Sequence, residues 1–354
     1  MAGQKDKQQA FCSGLIRSQI RKLTITGGYR VNVLISTWPF GEIEKAPLNI
    51  LGSLGVNYTL NPFERKMKEE ELAELIGNYE ILIAGTEPII STVLAHAKKL
   101  KLICRVGFGL DSVDLVEARN RNIAVSYTPD APSAAVTELT IGLIFTLLRF
   151  VHTANIRMHQ GKWNRFFGKR LADASVGVIG AGRIGTKVAE CLSSLGCREV
   201  LIHDCIDERQ MSRPPNIKKS TKREILSNAD VISLHVPRTV DTIGLIGEKE
   251  IAMMRKDAFL INTSRGGIVD ERALIEALSA ERIAGAAIDV FEDEPYTGEL
   301  ATFDSCILTS HMGSMSVDCR ARMEVEATEE AQRWILGISL LQPVPDFEYQ
   351  SQMI

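Results

Sequence analysis

From Val31 onward, short apolar runs rich in β-branched residues alternate with stretches whose apolar positions recur every three or four residues. In the first half, strands are predicted at Val31–Ser36, Val56–Leu60, Ile81–Ala84, Leu102–Val106 and Ile123–Ser126. Helices are predicted over Leu48–Leu54 (with Gly55 as C-cap), over Lys68–Ile76 ending at Gly77, and over Ser91–Ala97. Pro39, Gly41 and Asn61-Pro62 mark turns between them. A long helix is predicted after Pro132, with Ser133 as N-cap and Val136, Leu139, Leu143, Leu147 and Leu148 at helical spacing. A second alternating block follows, with strands at Val176–Ile179, Val200–His203, Val231–His235, Phe259–Asn262, Gly285–Asp289 and Ile307–Thr309. The β-α-β rhythm predicts an α/β protein of two doubly wound parallel-sheet lobes, the second Rossmann-type, with a ligand cleft expected between lobes.

The length of 354 residues fits two or three domains at about 150 residues each. Apolar residues at 45% and charged residues at 24% describe a globular chain with material for a sizeable core. With 41 basic against 44 acidic side chains, the formal charge of -3 excludes a chain-wide electrostatic design for nucleic acid or anionic membrane. The longest apolar run, Ile141–Leu148, falls far short of the roughly 20 residues of a membrane span. Seven scattered cysteines without a C-x-x-C pair fit a reducing cytosol, and neither they nor the histidines have metal-ligand spacing. Residues 1–29 carry Lys5, Lys7, Arg17, Arg21 and Lys22 against Asp6, and Cys12, Ser13 and Gly14 interrupt any apolar signal region, so they read as a frayed extension. The basic stretch His152–Arg170, with Trp163, Phe166 and Phe167, could bind single-stranded nucleic acid; a surface segment bridging two lobes is the commoner use of such a stretch and the one expected here.

Gly180-Ala181-Gly182-Arg183-Ile184-Gly185 directly follows a predicted strand and opens a predicted helix, Ile184–Leu195. In that setting Gly180 serves the tight turn, Gly182 the close approach of a pyrophosphate, and Gly185 helix–strand packing. The N–H groups of the helix start, at Arg183 and Ile184, then face the pyrophosphate. Asp204 stands at the end of the next strand, where a carboxylate binds the adenosine ribose and repels a 2′-phosphate, favouring NAD over NADP. Arg209 is the nearest cation that could clamp such a phosphate. Three further strand ends carry ionisable groups: Asn262–Gly267 with Arg265, Asp289–Pro295 with four carboxylates, and Ser310–Gly313 with His311. Arg, Glu and His thus converge on the strand edge where α/β sites lie.

These residues resemble the D-isomer-specific 2-hydroxyacid dehydrogenase family from Val31 to about Ile335. His235-Val236-Pro237-x-Thr239-x-x-Thr242 is similar to its H-x-P-x-T-x-x-T segment, Ile261–Asp270 to I-N-x-x-R-G-x-x-V-D, Asp289–Pro295 to D-V-F-x-x-E-P, and His311-Met312-Gly313 to H-x-G. The first lobe resembles 3-phosphoglycerate dehydrogenases at Leu60–Arg65, Gly85-Thr86-Glu87-Pro88 and Arg105–Asp111. Ser310 and Ser316 depart from the family's usual Pro and Thr.

The resemblance implies a flavodoxin-like substrate lobe (30–127 and 315–354) around a Rossmann NAD-binding domain (128–314), in a cytoplasmic homodimer with a small-molecule substrate and with no nucleic-acid or membrane partner. It implies Arg265, Glu294 and His311 as catalytic. Val236, Pro237, Thr242, Thr263, Ser264, Asp289, Gly313 and Thr86 would join the glycine loop and Asp204 at the cofactor. His311 would exchange the hydroxyl proton, since imidazole titrates near neutrality, and Glu294 would orient its other nitrogen. Arg265 would bind the substrate carboxylate in bidentate fashion, and Asp289 would face the nicotinamide. Backbone N–H groups of Gly107 and Phe108 would hold the carboxylate from the first lobe, with Arg65 and Arg105 as cations for a phosphorylated substrate and Glu87 opposing an anion if it faces inward. A phosphite or aldonate dehydrogenase would share the three residues. An NAD(H)-sensing, corepressor-like protein would bind the cofactor without turnover.

Overall fold

A computed structural model describes residues 30–205 and 214–352, so the N-terminal extension and Arg209 lie outside the described residues. The chain divides into two compact units: one runs to Ala131 and resumes at Val317, the other is Pro132–Ser316.

In chain order the first unit contains β1 (Asn32–Ile35), α1 (Ala46–Leu54), β2 (Asn57–Leu60), α2 (Glu69–Leu75), β3 (Ile81–Ala84), α3 (Ser91–His96), β4 (Leu102–Arg105), α4 (Leu115–Asn120) and β5 (Ala124–Ser126). The strands pair in parallel in the order β2-β1-β3-β4-β5. Covered on both faces, β3 and β4 are buried throughout, which is why they read as unbroken apolar runs. Leu34, Leu82, Ile103 and Val125 pack with Leu72, Ile76, Val93 and Leu115 into one core. Gly55 takes the left-handed φ of +65° that ends α1, as a C-cap glycine should. The helix α4 has no counterpart in the sequence reading; Asp114 caps it by accepting the Glu117 N–H at 2.8 Å.

The second unit opens with α5 (Pro132–Leu148) and α6 (Val151–His159), separated by Phe150 at a φ of +51°. Pro132 is the first residue of α5, so Ser133 lies inside the first turn and is not the N-cap. Pro suits that position because its missing N–H would have no helical partner there. The basic stretch His152–Arg170 does not bridge the units: all of it belongs to the second, where Phe166 stacks on Phe150 at 5.8 Å and Lys169 pairs with the buried Asp230 at 2.5 Å.

There follow β6 (Ser175–Ile179), α7 (Arg183–Ser194), β7 (Glu199–His203), β8 (Ile217–Lys219), α8 (Lys222–Asn228), β9 (Val231–Leu234), α9 (Glu248–Met253), β10 (Phe259–Asn262), α10 (Glu271–Ser279), β11 (Gly285–Ile288) and β12 (Cys306–Leu308). The parallel order β12-β11-β10-β9-β6-β7-β8 contains the Rossmann arrangement, with its reversal between β6 and β9. The edge strand β8 is a seventh; its two exposed lysines hid it from a search for apolar runs. The chain then returns to the first unit as α11 (Val317–Ile335) and α12 (Asp346–Ser351).

Inside the first unit, α11 grips the segment after β1. Arg320 donates to Glu324 at 2.6 Å and to Thr37 at 3.0 Å, and Glu324 accepts the Gly41 N–H at 2.8 Å. Among the described residues no single helix is long and apolar enough to cross a membrane, and no group of three His, Cys, Asp or Glu is placed to hold a metal ion.

Candidate active site

The glycine-rich turn joins β6 to α7. Gly180 has a φ of +99° and gives its N–H to the His203 carbonyl at 2.8 Å. A Cβ on Gly185 would lie 1.8 Å from the Gly180 carbonyl oxygen, so only glycine permits this packing of helix on turn. Around Gly182, the N-cap of α7, a Cβ would meet nothing within 4 Å, which leaves room at a helix start whose N–H groups attract an anion. Asp204, at the end of β7, reaches back to this turn and accepts the Ala181 N–H at 2.5 Å. The cradle fits a dinucleotide pyrophosphate, with the carboxylate fixed one strand away.

The next strand end carries His235-Val236-Pro237. Val236 packs toward Gly180, and the Thr242 hydroxyl accepts the Thr239 N–H at 2.7 Å while donating to the Pro237 carbonyl at 2.6 Å, closing the turn. His235 Nε2 lies 2.9 Å from the Ser233 hydroxyl, its Nδ1 is buried, and burial pushes its pKa down to about 4, so the ring is neutral near pH 7.

After β10, buried Asn262 builds the loop that presents Arg265. Its Oδ1 accepts from the Ser264 N–H at 3.0 Å and hydroxyl at 2.7 Å, and its Nδ2 donates to the Arg265 carbonyl at 2.9 Å. Arg265 Nη1 donates to the Ser264 carbonyl at 2.7 Å. Thr263 turns its hydroxyl to Thr140 of α5 at 2.9 Å, linking the loop to that helix.

The last two strand ends form one assembly. His311 Nδ1 lies 2.9 Å and 3.0 Å from the two carboxylate oxygens of Glu294, an arrangement in which Nδ1–H donates and Nε2 is left for proton transfer. His311 is about 40% exposed. Asp289, 1% exposed, takes the Thr309 hydroxyl at 2.5 Å and the Met312 N–H at 2.9 Å on one oxygen, and the Gly313 N–H at 3.0 Å on the other. Asn262 and Thr309 thus shape the site without appearing among the sequence-predicted residues. The signal available for both was a polar side chain at the end of an apolar strand.

In the first unit, the positions singled out from the sequence are more occupied than expected. Glu87, 1% exposed, does face inward, but it accepts the Gly85 N–H at 2.8 Å and the Ser36 hydroxyl, which binds it into the turn. Arg65 makes a bidentate pair with Glu71 at 2.5 and 2.9 Å, and the guanidinium holds that carboxyl down to about 2. Arg105 is buried, with Nη1 donating to the Val106 carbonyl and the guanidinium against Gly107. The Gly107 N–H, expected to meet a carboxylate, donates to Thr128 Oγ1 at 2.8 Å and to the Arg105 carbonyl at 3.0 Å. Thr86 is exposed, and Phe108 packs 6.4 Å from Tyr127.

Residues 141–313 match the NAD binding domain of the D-isomer specific 2-hydroxyacid dehydrogenases. A D-3-phosphoglycerate dehydrogenase of Methanocaldococcus jannaschii is 35% identical over 277 residues, which cover 77% of this chain and 52% of that one. The chain therefore spans about half the length of that relative. A glyoxylate reductase of Thermofilum pendens is 37% identical over 266 residues, covering 72% of this chain and 78% of the relative. Among solved structures, the TT0316 protein of Thermus thermophilus superposes with a TM-score of 0.80 at 31% identity, over 89% of this chain and 100% of that one. Strand order, glycine turn, the Arg–Glu–His strand ends and these likenesses agree: the chain belongs to the D-isomer specific 2-hydroxyacid dehydrogenase family.

Proposed function

We propose that this protein is an NAD-dependent oxidoreductase that interconverts a D-2-hydroxyacid and the corresponding 2-oxoacid. The observation that carries the reading is the imidazole of His311 held through Nδ1 by Glu294, with Arg265 presented from the neighbouring region of the same sheet edge. NAD supplies the hydride acceptor or donor at C4 of its nicotinamide. Gly180, Gly182, Gly185 and the start of α7 hold its pyrophosphate, and Asp204 selects against a 2′-phosphate.

In the oxidising direction His311 Nε2 takes the proton of the C2 hydroxyl, and in the reducing direction it returns that proton. Glu294 fixes the ring's tautomer and orientation and stabilises the imidazolium. The guanidinium of Arg265 binds the carboxylate and draws electron density from the C2 oxygen, a task its fixed fork suits better than an ammonium would.

For the substrate, a small 2-hydroxyacid such as 3-phosphoglycerate, D-glycerate or glycolate fits the family. Engagement of Arg65 by Glu71 and burial of Arg105 support the unphosphorylated acids, because a phosphate must first draw Arg65 away from its partner. The buried, free Cys104, Cys197 and Cys306 support a reducing compartment such as the cytosol. Exposed Val151, Met158, Trp163 and Phe167 support a homodimer formed through the second unit, which sedimentation velocity checks.

The test is a rate panel: NADH formation with 3-phosphoglycerate, D-glycerate, D-lactate, 4-phosphoerythronate and phosphite, and NADH consumption with glyoxylate and hydroxypyruvate. Turnover of a 2-hydroxyacid pair is the expected result. Turnover of phosphite alone, or NADH binding without any turnover, overturns the reading.

A further inference from the structure

Within the second unit, the loop after β11 carries Glu294, and one of its peptides, Phe291–Glu292, is held at both of its polar groups. Its carbonyl packs on Gly266: a Cβ there would stand 1.8 Å from the Phe291 oxygen and 2.9 Å from the Glu292 nitrogen, so only glycine lets the Arg265 loop come this close. Its N–H, that of Glu292, donates to Glu271 Oε1 at 2.8 Å. Glu271 is the first residue of α10, directly after the N-cap Asp270, which accepts the Ala273 N–H at 3.0 Å. With the cap supplied by Asp270, the Glu271 carboxylate serves the neighbouring loop.

The residue that supplies the packed carbonyl also reaches the proton-transferring pair. The Phe291 N–H donates to Glu294 Oε1 at 3.2 Å, and that oxygen lies 3.0 Å from His311 Nδ1. Phe291 is buried and its ring stacks on Tyr296 at 4.2 Å, which fixes the backbone between the two bonds. A continuous path thus runs from Glu271 through Phe291–Glu292 and Glu294 to the imidazole. Burial raises the pKa of Glu271, and the nearby Glu292 and Asp293 add to the rise, so the surroundings disfavour a charge there. What the bond to Glu292 requires is an acceptor oxygen, which an amide also has. The Arg265 loop is held separately, by the bonds of Asn262 to Ser264 and Arg265.

We propose that Glu271 is a positioning residue for the Glu294–His311 pair: by holding the Phe291–Glu292 peptide on Gly266 it fixes the Phe291 N–H, and through it the Glu294 carboxylate, against His311 Nδ1. The effect on turnover rests on the reading given under Proposed function. The start of α10 then sets the rate of proton transfer and leaves the binding of acid and cofactor alone.

The experiment uses the full chain with Glu271→Ala, Glu271→Gln, Glu294→Gln and the double variant Glu271→Ala/Glu294→Gln. It reads kcat and both KM values with the best acid of the panel. It also reads the ring 15N shifts of His311 without ligand, assigned by their loss in His311→Ala. Glu271→Ala is expected to lower kcat about tenfold, with KM for the acid and for NADH within about twofold, because the lost bond serves a reacting group. The His311 ring should move from the Nδ1–H tautomer toward a mixture. Glu271→Gln keeps the acceptor and should bring kcat back to within about twofold of wild type. The double variant should be no slower than Glu294→Gln, since Glu271 acts through Glu294. An unchanged kcat in Glu271→Ala overturns the proposal, as does a Gln variant as slow as the Ala variant, or a double variant in which the two losses multiply. A wild-type protein inactive on the whole panel, with a His311 tautomer that still depends on Glu271, overturns the dehydrogenase reading and upholds the positioning link. Turnover with kcat and tautomer both indifferent to Glu271 does the reverse.

Discussion

His311 occupies a left-handed backbone conformation, φ +51°, and Asp289 holds it there without touching its ring: the Asp289 carbonyl accepts the His311 N–H at 2.8 Å, and the carboxylate accepts the two N–H groups that follow. A non-glycine residue stays in this region only when its surroundings over-determine it. In Asp289→Asn one acceptor oxygen becomes a donor facing a donor, so the turn carrying the imidazole should relax. We expect kcat to fall about 10²-fold, the scale of a small misplacement of a reacting group, with the far-UV spectrum unchanged. An unaltered kcat would show that the backbone bonds alone suffice.

His311→Ala and Arg265→Ala separate chemistry from cofactor binding. Each is expected to lower kcat/KM by about 10³-fold or more, because proton transfer and carboxylate binding have no substitute on the neighbouring strand ends. NADH binding, followed by fluorescence titration, should stay within about threefold of wild type. Wild-type-like turnover in either variant removes the role assigned to that residue.

Asp204 has two tasks that one substitution can distinguish. Its carboxylate anchors the Ala181 N–H at 2.5 Å and, in the proposed complex, accepts from the ribose. Asp204→Ala should weaken NADH binding and narrow the preference over NADPH by about tenfold. Discrimination that survives the change would place selectivity in the segment after Cys205.

The neutral imidazole of His235 makes the second unit sensitive to acid. Its pKa in the folded chain, about 4, lies below the 6.5 of an exposed histidine. Between those values the unfolded chain binds the extra proton, so stability is complete above pH 6.5 and declines as pH falls toward 4, where the loss levels off. Calorimetry should show His235→Gln flattening this part of the acid profile, by on the order of 5 °C in melting temperature at pH 4.5. A profile identical to wild type would assign the acid sensitivity to other groups.

Where a local pattern encodes a local structure, the sequence was readable. The β6–glycine turn–α7 unit, the buried parallel strands and the strand-end positions of Arg265, Glu294 and His311 could be read in this way. What escaped it depends on distance or direction. Glu87 turns inward onto Ser36, 51 positions earlier, and no propensity encodes that orientation. Arg65 meets Glu71 six positions on, across the start of α2, where neither helical nor strand periodicity applies. The strand β8 is too short and too lysine-rich to register, and α6 reads as a basic surface stretch because none of its residues is buried. Gln352 meets Leu115 across 237 positions, a contact no window contains.

The placement of α11 has a consequence for how the chain acquires its fold. Pro132–Ser316 is one uninterrupted segment with all seven of its strands, so during synthesis it can collapse as soon as it is free of the ribosome. The earlier-made sheet cannot finish: Arg320 and Glu324 must arrive to close on Thr37 and Gly41, 283 positions back. The nascent chain thus carries a completed insert while β1–β5 wait with one face unsealed, an interval in which chaperone binding, or pairing with another unfinished chain, competes with the docking of α11.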